Sequence, residues 1–342
     1  MREFFLQYGL FLAQTITVVV AIVFVIAFAA SASKKGRQSG GLVIKNLNKR
    51  LEKISDTLRH EIIPKKELKA ISKARKERDK KRASQPDGER KRIFVLDFKG
   101  DIKASGVAGL REEVNSLISV ATGDDEVFVR LENAGGLVHE HGLAASQLAR
   151  IRDKGIPLTV SVDKVAASGG YMMACVADTI RAAPFSIVGS IGVLAQIPNF
   201  HRLLKDHGVE VEQVKAGRYK RTVTMFGENT EEDRAKMREE LEEVHTLFRQ
   251  LISDYRPGLD MDLVGTGEHW LGRRGLELGL VDELGTSDDY LLEAVDEADL
   301  YSVRWASKKT LQEKLTSVVE DGASAAFRGA WRHLRDTRFD AN

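Results

Sequence analysis

From Phe4 to Ser33 the chain carries no charged residue, and the apolar centre of this run extends from Gly9 to Ala30. About 20 apolar residues suffice to cross a bilayer core as a helix, so residues 4–33 are expected to form a single transmembrane anchor. A cleaved leader would need a basic start and an apolar core of about 7–15 residues. Here Arg2 stands beside Glu3 and the core is longer, although Ala30-Ser31-Ala32 offers the small residues of a cleavage site. The reading is an uncleaved anchor. A second apolar stretch, Ile187 to Ile197, contains Gly189 and Gly192 and is bracketed by Pro184 and Pro198. It suits a buried strand and turn better than a span.

The net charge of +2 conceals an asymmetry. Lys34 to Arg92 holds 21 Lys and Arg against 8 Asp and Glu, and the chain beyond is acidic. The expected organisation is an anchor (4–33), a basic juxtamembrane arm and linker (34–92), a folded body (93–300) and a C-terminal amphipathic tail (301–342). Within the arm, Leu47, Leu51, Ile54, Leu58 and Ile62 recur at helical spacing over Leu42 to Ile63. Lys65 to Arg82 has scarcely any apolar periodicity, and Ser84-Gln85-Pro86-Asp87-Gly88 reads as a linker. A polybasic segment beside an anchor fits contact with anionic lipid, and fits a solvated spacer equally well. No aromatic residues interleave with the charges, which argues against nucleic acid.

The body alternates short apolar runs with helical stretches. Ile93 to Phe98, Glu126 to Leu131 and Pro157 to Val162 read as strands; Ala108 to Val120 and Leu137 to Lys154 read as helices, and Gly169 to Val176 begins another. Near-continuous apolar strands separated by helices imply a parallel sheet covered on both faces, hence an α/β fold. The lone cysteine, Cys175, excludes an intramolecular disulfide and lies in an apolar stretch that suits a buried thiol.

Two glycine pairs follow strands, where α/β folds place ligand sites. They are Asn133-Ala134-Gly135-Gly136 and Ala167-Ser168-Gly169-Gly170. Neither is a dinucleotide fingerprint or a phosphate loop. Ser168 stands where a strand feeds a helix, so its hydroxyl can face the strand ends. The Gly169 N–H can then point at an oxyanion, with a second donor from Gly135 or Gly136. Such a serine needs a base. The surroundings of Ser168 do not match the GxSxG elbow, and His139-Glu140-His141 reads as a surface patch at a helix start. A lysine can be the base if burial holds it neutral. Spacing alone does not select one, but Lys220 lies within the body, in Ala216-Gly217-Arg218-Tyr219-Lys220-Arg221 after the alternating Val209 to Val214.

At these residues the sequence resembles the signal peptide peptidase A family of membrane-anchored bacterial serine peptidases, in its SohB branch. The likeness runs from Met1 to about Leu300. It rests on Glu132-Asn133-Ala134-Gly135-Gly136, Ala167-Ser168-Gly169-Gly170-Tyr171, Gly189-Ser190-Ile191-Gly192-Val193, the Lys220 motif, and Gly275-Leu276-Glu277-Leu278-Gly279-Leu280-Val281-Asp282. Many relatives carry proline where Ala134 stands, and the longer relatives have a duplicated catalytic repeat that is single here. The resemblance implies a crotonase/Clp-protease-like α/β body with Ser168 as nucleophile and Lys220 as general base. It implies an oxyanion hole from the N–H groups of Gly136 and Gly169, no metal, and no organic cofactor. It also implies peptide or protein substrates, such as signal-peptide remnants or damaged envelope proteins, and self-association.

A crotonase-type acyl-CoA enzyme would share the fold and oxyanion hole without needing a Ser/Lys pair. A catalytically silent membrane scaffold would need neither. On orientation, two arguments oppose each other. Lys34, Lys35, Arg37, Lys45, Lys49 and Arg50 follow the span closely and favour a cytoplasmic body. The family resemblance favours an inner-membrane protein with a periplasmic body, which is the reading adopted.

Overall fold

In the computed structural model of the chain, residues 7–12, 14–19, 40–83 and 90–307 are described. The apolar runs pair side by side in parallel. They are β2 (Arg92–Lys99), β3 (Glu126–Glu132), β4 (Leu158–Val162) and β6 (Thr179–Ala182). Register places Val95 beside Phe128, Val129 beside Val160, and Val160 beside Ile180. β1 (Gly40–Asn46) and β10 (Asp299–Ser307) extend the sheet beyond β2, and β9 (Glu283–Leu284) closes its other edge. The order is β1-β10-β2-β3-β4-β6-β9, seven strands in all. A smaller sheet of β5 (Val165–Ala167), β7 (Ile187–Gly189) and β8 (His269–Leu271) runs β5-β7-β8. Val127, Phe128, Val129 and Leu131 are all buried, because β3 is covered on both faces. The fold is mixed α/β, as expected.

The segment expected as a basic arm contributes to this sheet. Its helical periodicity begins only at Leu47; the residues before it form the edge strand β1. Asn46 caps α1 (Leu47–Ile62) by accepting from Lys49 N–H at 2.9 Å. The buried Asn48 side chain donates to the carbonyls of Val295 and Ala298, each at 2.9 Å, and accepts from Leu300 N–H at 2.7 Å. These bonds fasten the start of α1 to the chain leading into β10. Further along, Ile54, Leu58 and Ile62 are exposed. α2 (Lys65–Ala83) is also helical, without an apolar face, and its Arg75 pairs with Glu52 and, at 2.5 Å, with Asp56 of α1.

α3 (Val107–Ile118), α4 (Val138–Asp153) and α5 (Gly169–Ala174) follow β2, β3 and β5. Beyond β7 the chain is irregular apart from α6 (His201–Asp206), until α7 (Glu231–Tyr255) starts at a capping box made by Thr230 and Asp233. Ile187 to Ile197 therefore holds a strand only as far as Gly189, and Leu194 is exposed. Val209 to Val214 forms no strand, and Val214 is 90% exposed. Three short helices complete the body: α8 (Met261–Val264), α9 (Gly272–Glu277) and α10 (Ser287–Ala294).

Of the anchor expected over residues 4–33, residues 7–12 and 14–19 are helical and the rest lie outside the described residues. Among the described residues, no helix is long and apolar enough to cross a membrane. The linker at 84–88 also lies outside them, as does the tail expected over 301–342 except for residues 301–307, which instead belong to β10 of the sheet.

Glu113 is a buried carboxylate on α3 whose Oε1 accepts the Trp305 N–H at 2.7 Å. Burial outweighs that bond and holds its carboxyl above the usual 4.5. A raised carboxyl pKa favours the folded state below the ordinary value, and that contribution disappears as pH rises through the folded value. Glu113→Gln keeps an oxygen for Trp305 and removes the buried charge. It is expected to raise the melting temperature at pH 8 and to change it less at pH 4, as read by thermal unfolding at both.

Candidate active site

Two loops meet where β3 and β5 end. Asn133, directly after β3, receives β5 along its backbone: Asn133 N–H donates to Val165 O at 2.8 Å, and Ala167 N–H donates to Asn133 O at 3.0 Å. The first loop turns at Gly135, with φ +90°, where a side chain would be strained. It would also have no room, since a Cβ there would lie 2.7 Å from Ser168 Cβ and 2.9 Å from Gly169 N. The two glycine loops are thus in direct contact. Gly136 follows, its Cα backed by Ile102, whose carbonyl accepts Leu137 N–H at 2.8 Å.

Ser168 sits between β5 and α5 with φ 53° and ψ −119°. A non-glycine residue in this region stores strain that the surroundings must hold. Two bonds hold it: Ser168 N–H donates to Gly189 O at 2.8 Å, and Ser168 O accepts Met172 N–H at 2.9 Å. The accepting turn is itself unusual, for Ser190 has φ 54° and donates its N–H to Glu268 O at 2.6 Å. A sharp strand-to-helix turn of this kind presents a serine hydroxyl at the sheet edge, although the local sequence is not GxSxG. The Ser168 hydroxyl is half-buried and makes no hydrogen bond among the described residues. α5 is pinned beneath it by the buried Tyr171, whose hydroxyl donates to Leu280 O at 2.9 Å.

Neither Gly136 N–H nor Gly169 N–H is engaged by a protein acceptor among the described residues. Gly135 N–H is engaged, donating to Asn133 Oδ1 at 2.9 Å. Of the two candidates left open by the sequence for the second oxyanion donor, Gly136 is therefore the one with a free N–H. Gly135 packs against Ser168 and Gly169, with Gly136 next in the chain; among the described residues, Lys220 makes no hydrogen bond to any of them. It is exposed in a turn closed by its own N–H on Gly217 O at 3.2 Å, and its ammonium has no partner among the described residues. The chemistry asks for a buried lysine, and in the single chain this one is in solvent.

Among the described residues, no histidine hydrogen-bonds to Ser168. His141, expected in a surface patch, is fully buried: its Nδ1–H donates to Leu137 O at 2.9 Å, and Nε2 stands 3.2 Å from Asn133 Oδ1. His245 Nε2 lies 3.2 Å from Ile191 O. Cys175 is buried on the helix side of the site, where desolvation pushes its thiol up to about 12, so it is not a nucleophile. Among the described residues, no group of three His, Cys, Asp or Glu side chains could hold a metal ion.

This arrangement can carry acyl transfer: a poised hydroxyl, with two free amides beside it. Comparison with known proteins places the chain. Residues 3–148 match the model for the N-terminal part of peptidase family S49, and residues 150–301 match the model for peptidase family S49 itself. A "Probable protease SohB" of Haemophilus influenzae is 46% identical over 92% of this chain and 93% of its own. A "Probable protease SohB" of Buchnera aphidicola (subspecies Acyrthosiphon pisum) is 54% identical over 69% of this chain and 70% of its own. Among solved structures, a mutant of the 1510-N membrane-bound stomatin-specific protease, in complex with a substrate peptide, is 14% identical. It covers 68% of this chain and 99% of its own, at a TM-score of 0.41, a likeness that leaves the fold to be argued from its own topology. The protein is a serine-type peptidase. It belongs to peptidase family S49, among the SohB-type members.

Asn133 and His141 were not legible as parts of the site. A signal for each was present. Asn two residues before a glycine is the pattern of an Asx turn, and His141 shares a helical face with Ala144, Ala145 and Leu148.

Proposed function

We propose that the chain is an endopeptidase working through a Ser168/Lys220 dyad. Ser168 attacks a peptide carbonyl as neutral Lys220 takes its proton, and the N–H groups of Gly136 and Gly169 hold the oxyanion. Lys220 then protonates the leaving amine, and water repeats the cycle on the acyl-enzyme. The observation that carries this reading is the strained Ser168 beside two amides unengaged among the described residues, with no histidine hydrogen-bonded to Ser168 among them. Lys220, exposed and with no partner among the described residues, is free to be buried against Ser168 on assembly of a homo-oligomer or on substrate binding.

The substrates proposed are membrane-associated peptides, signal-peptide remnants among them, or damaged envelope proteins. The uncharged run from Phe4 to Ser33 supports an inner-membrane anchor at residues 4–33. The basic arm supports lipid contact through α1 and α2, where Ile54, Leu58 and Ile62 are exposed among lysines and arginines. Residues 93–300 form the peptidase domain in this reading, facing the periplasm, and the crotonase/Clp-like architecture goes with it. Two measurements test it on the full chain. In detergent, it should cleave casein and peptides from an apolar signal-sequence core; inertness toward the whole panel would sink the substrate assignment. In intact spheroplasts, added protease should digest residues 93–300, whereas protection until lysis would put the body in the cytoplasm.

A further inference from the structure

The two oxyanion donors lie on different elements, Gly136 on the loop after β3 and Gly169 at the start of α5. Something must hold these elements in register. One side chain reaches both. Asn133 is 1% exposed, and its Oδ1 takes the Gly135 N–H at 2.9 Å, the short-range bond of an Asx turn. Its Nδ2 donates to the sulfur of Met173 on α5 at 3.3 Å. Its backbone carbonyl faces Gly170, where a Cβ would stand 2.0 Å away, so α5 packs directly on this residue. The His141 ring completes the support: it stands 3.2 Å from Asn133 Oδ1 and fills the space beside Gly169, where a Cβ would lie 2.4 Å from its Cγ.

We propose that Asn133 is a positioning residue for the oxyanion hole. By capturing the Gly135 N–H it turns the next amide, that of Gly136, outward and free, and through Met173 and Gly170 it ties that amide to the helix bearing Gly169. Asn133 touches no reacting atom, so its influence falls on the transition state and not on substrate binding. The inference rests on the Ser168 peptidase reading. Removing one oxyanion donor costs about 100- to 1000-fold in kcat, and misplacing it costs part of that.

The test compares two substitutions that empty nearly the same volume and differ by one oxygen. In the full chain in detergent, Asn133→Ala is expected to lower kcat by about 30-fold with KM within about threefold of wild type. Asn133→Ser can still accept the Gly135 N–H through its hydroxyl, more weakly, and is expected to return kcat to within about fivefold of wild type. Equal loss in both variants would assign the effect to the cavity and overturn the proposal. So would a kcat within about twofold of wild type for Asn133→Ala. Should the alanine variant fail to fold, amide exchange in the wild type decides: Gly135 should exchange slowly and Gly136 fast, and the reverse order would overturn the proposal. Failure of the peptidase reading is distinguishable, because it appears as a wild type that cleaves nothing.

Discussion

Ser168→Ala is expected to abolish peptide hydrolysis, by about 10⁴-fold or more in kcat, while the chain folds and unfolds like the wild type. The substitution removes only the hydroxyl, which has no hydrogen-bond partner among the described residues. Its backbone anchors, the bonds to Gly189 O and from Met172 N–H, do not involve the side chain. Alanine bears the same positive φ at similar cost, so the α5 junction should stay in place. Parallel measurement of turnover and thermal unfolding separates this outcome from simple destabilisation. A variant retaining turnover near the wild-type level would remove Ser168 as nucleophile and leave the strained junction without a catalytic reason.

Lys220 offers the second large effect. Lys220→Ala and Lys220→Arg are both expected to lower kcat by about 100-fold or more, with unfolding unchanged because the side chain is exposed and has no partner among the described residues. Arginine is the informative variant. It preserves the positive charge and much of the reach, but a guanidinium stays protonated in proteins and accepts no proton from Ser168. An active Lys220→Arg protein would mean that position 220 supplies charge only, and that the base is elsewhere.

Much of the sheet is legible in the residues themselves. β2, β3 and β4 are short apolar runs, so covered on both faces that little else could explain them, and their expected ends fall within a residue or two of the observed ones. α4 follows from its apolar spacing. The readings of Leu42 to Asn46 and of His141 miss for one reason: periodicity reports a face and not what covers it. The spacing absorbs Leu42 to Asn46 into the helix that follows, yet Gly40, Gly41, Val43 and Ile44 favour an extended edge that β10 can pair. His141 has polar neighbours in sequence, although its helical face is that of Ala144 and Leu148.

The site divides in the same manner. The junction that bears Ser168 and Gly169 is legible because a strand-to-helix turn is local. The choice of Gly136 over Gly135 is not, since it depends on which amide Asn133 captures, a side-chain contact that spacing does not encode. Lys220 rests on resemblance; its backbone N–H bonds locally to Gly217 O, and its ammonium has no partner among the described residues.

The central claim is that Ser168 is a base-activated nucleophile, and covalent labelling tests it most directly. The full chain in detergent is treated with a fluorophosphonate, digested, and mapped by mass. The account predicts one adduct, on Ser168, formed much more slowly in Lys220→Ala and absent in Ser168→Ala. An adduct on another residue, or hydrolysis that persists with Ser168 unlabelled, would contradict it.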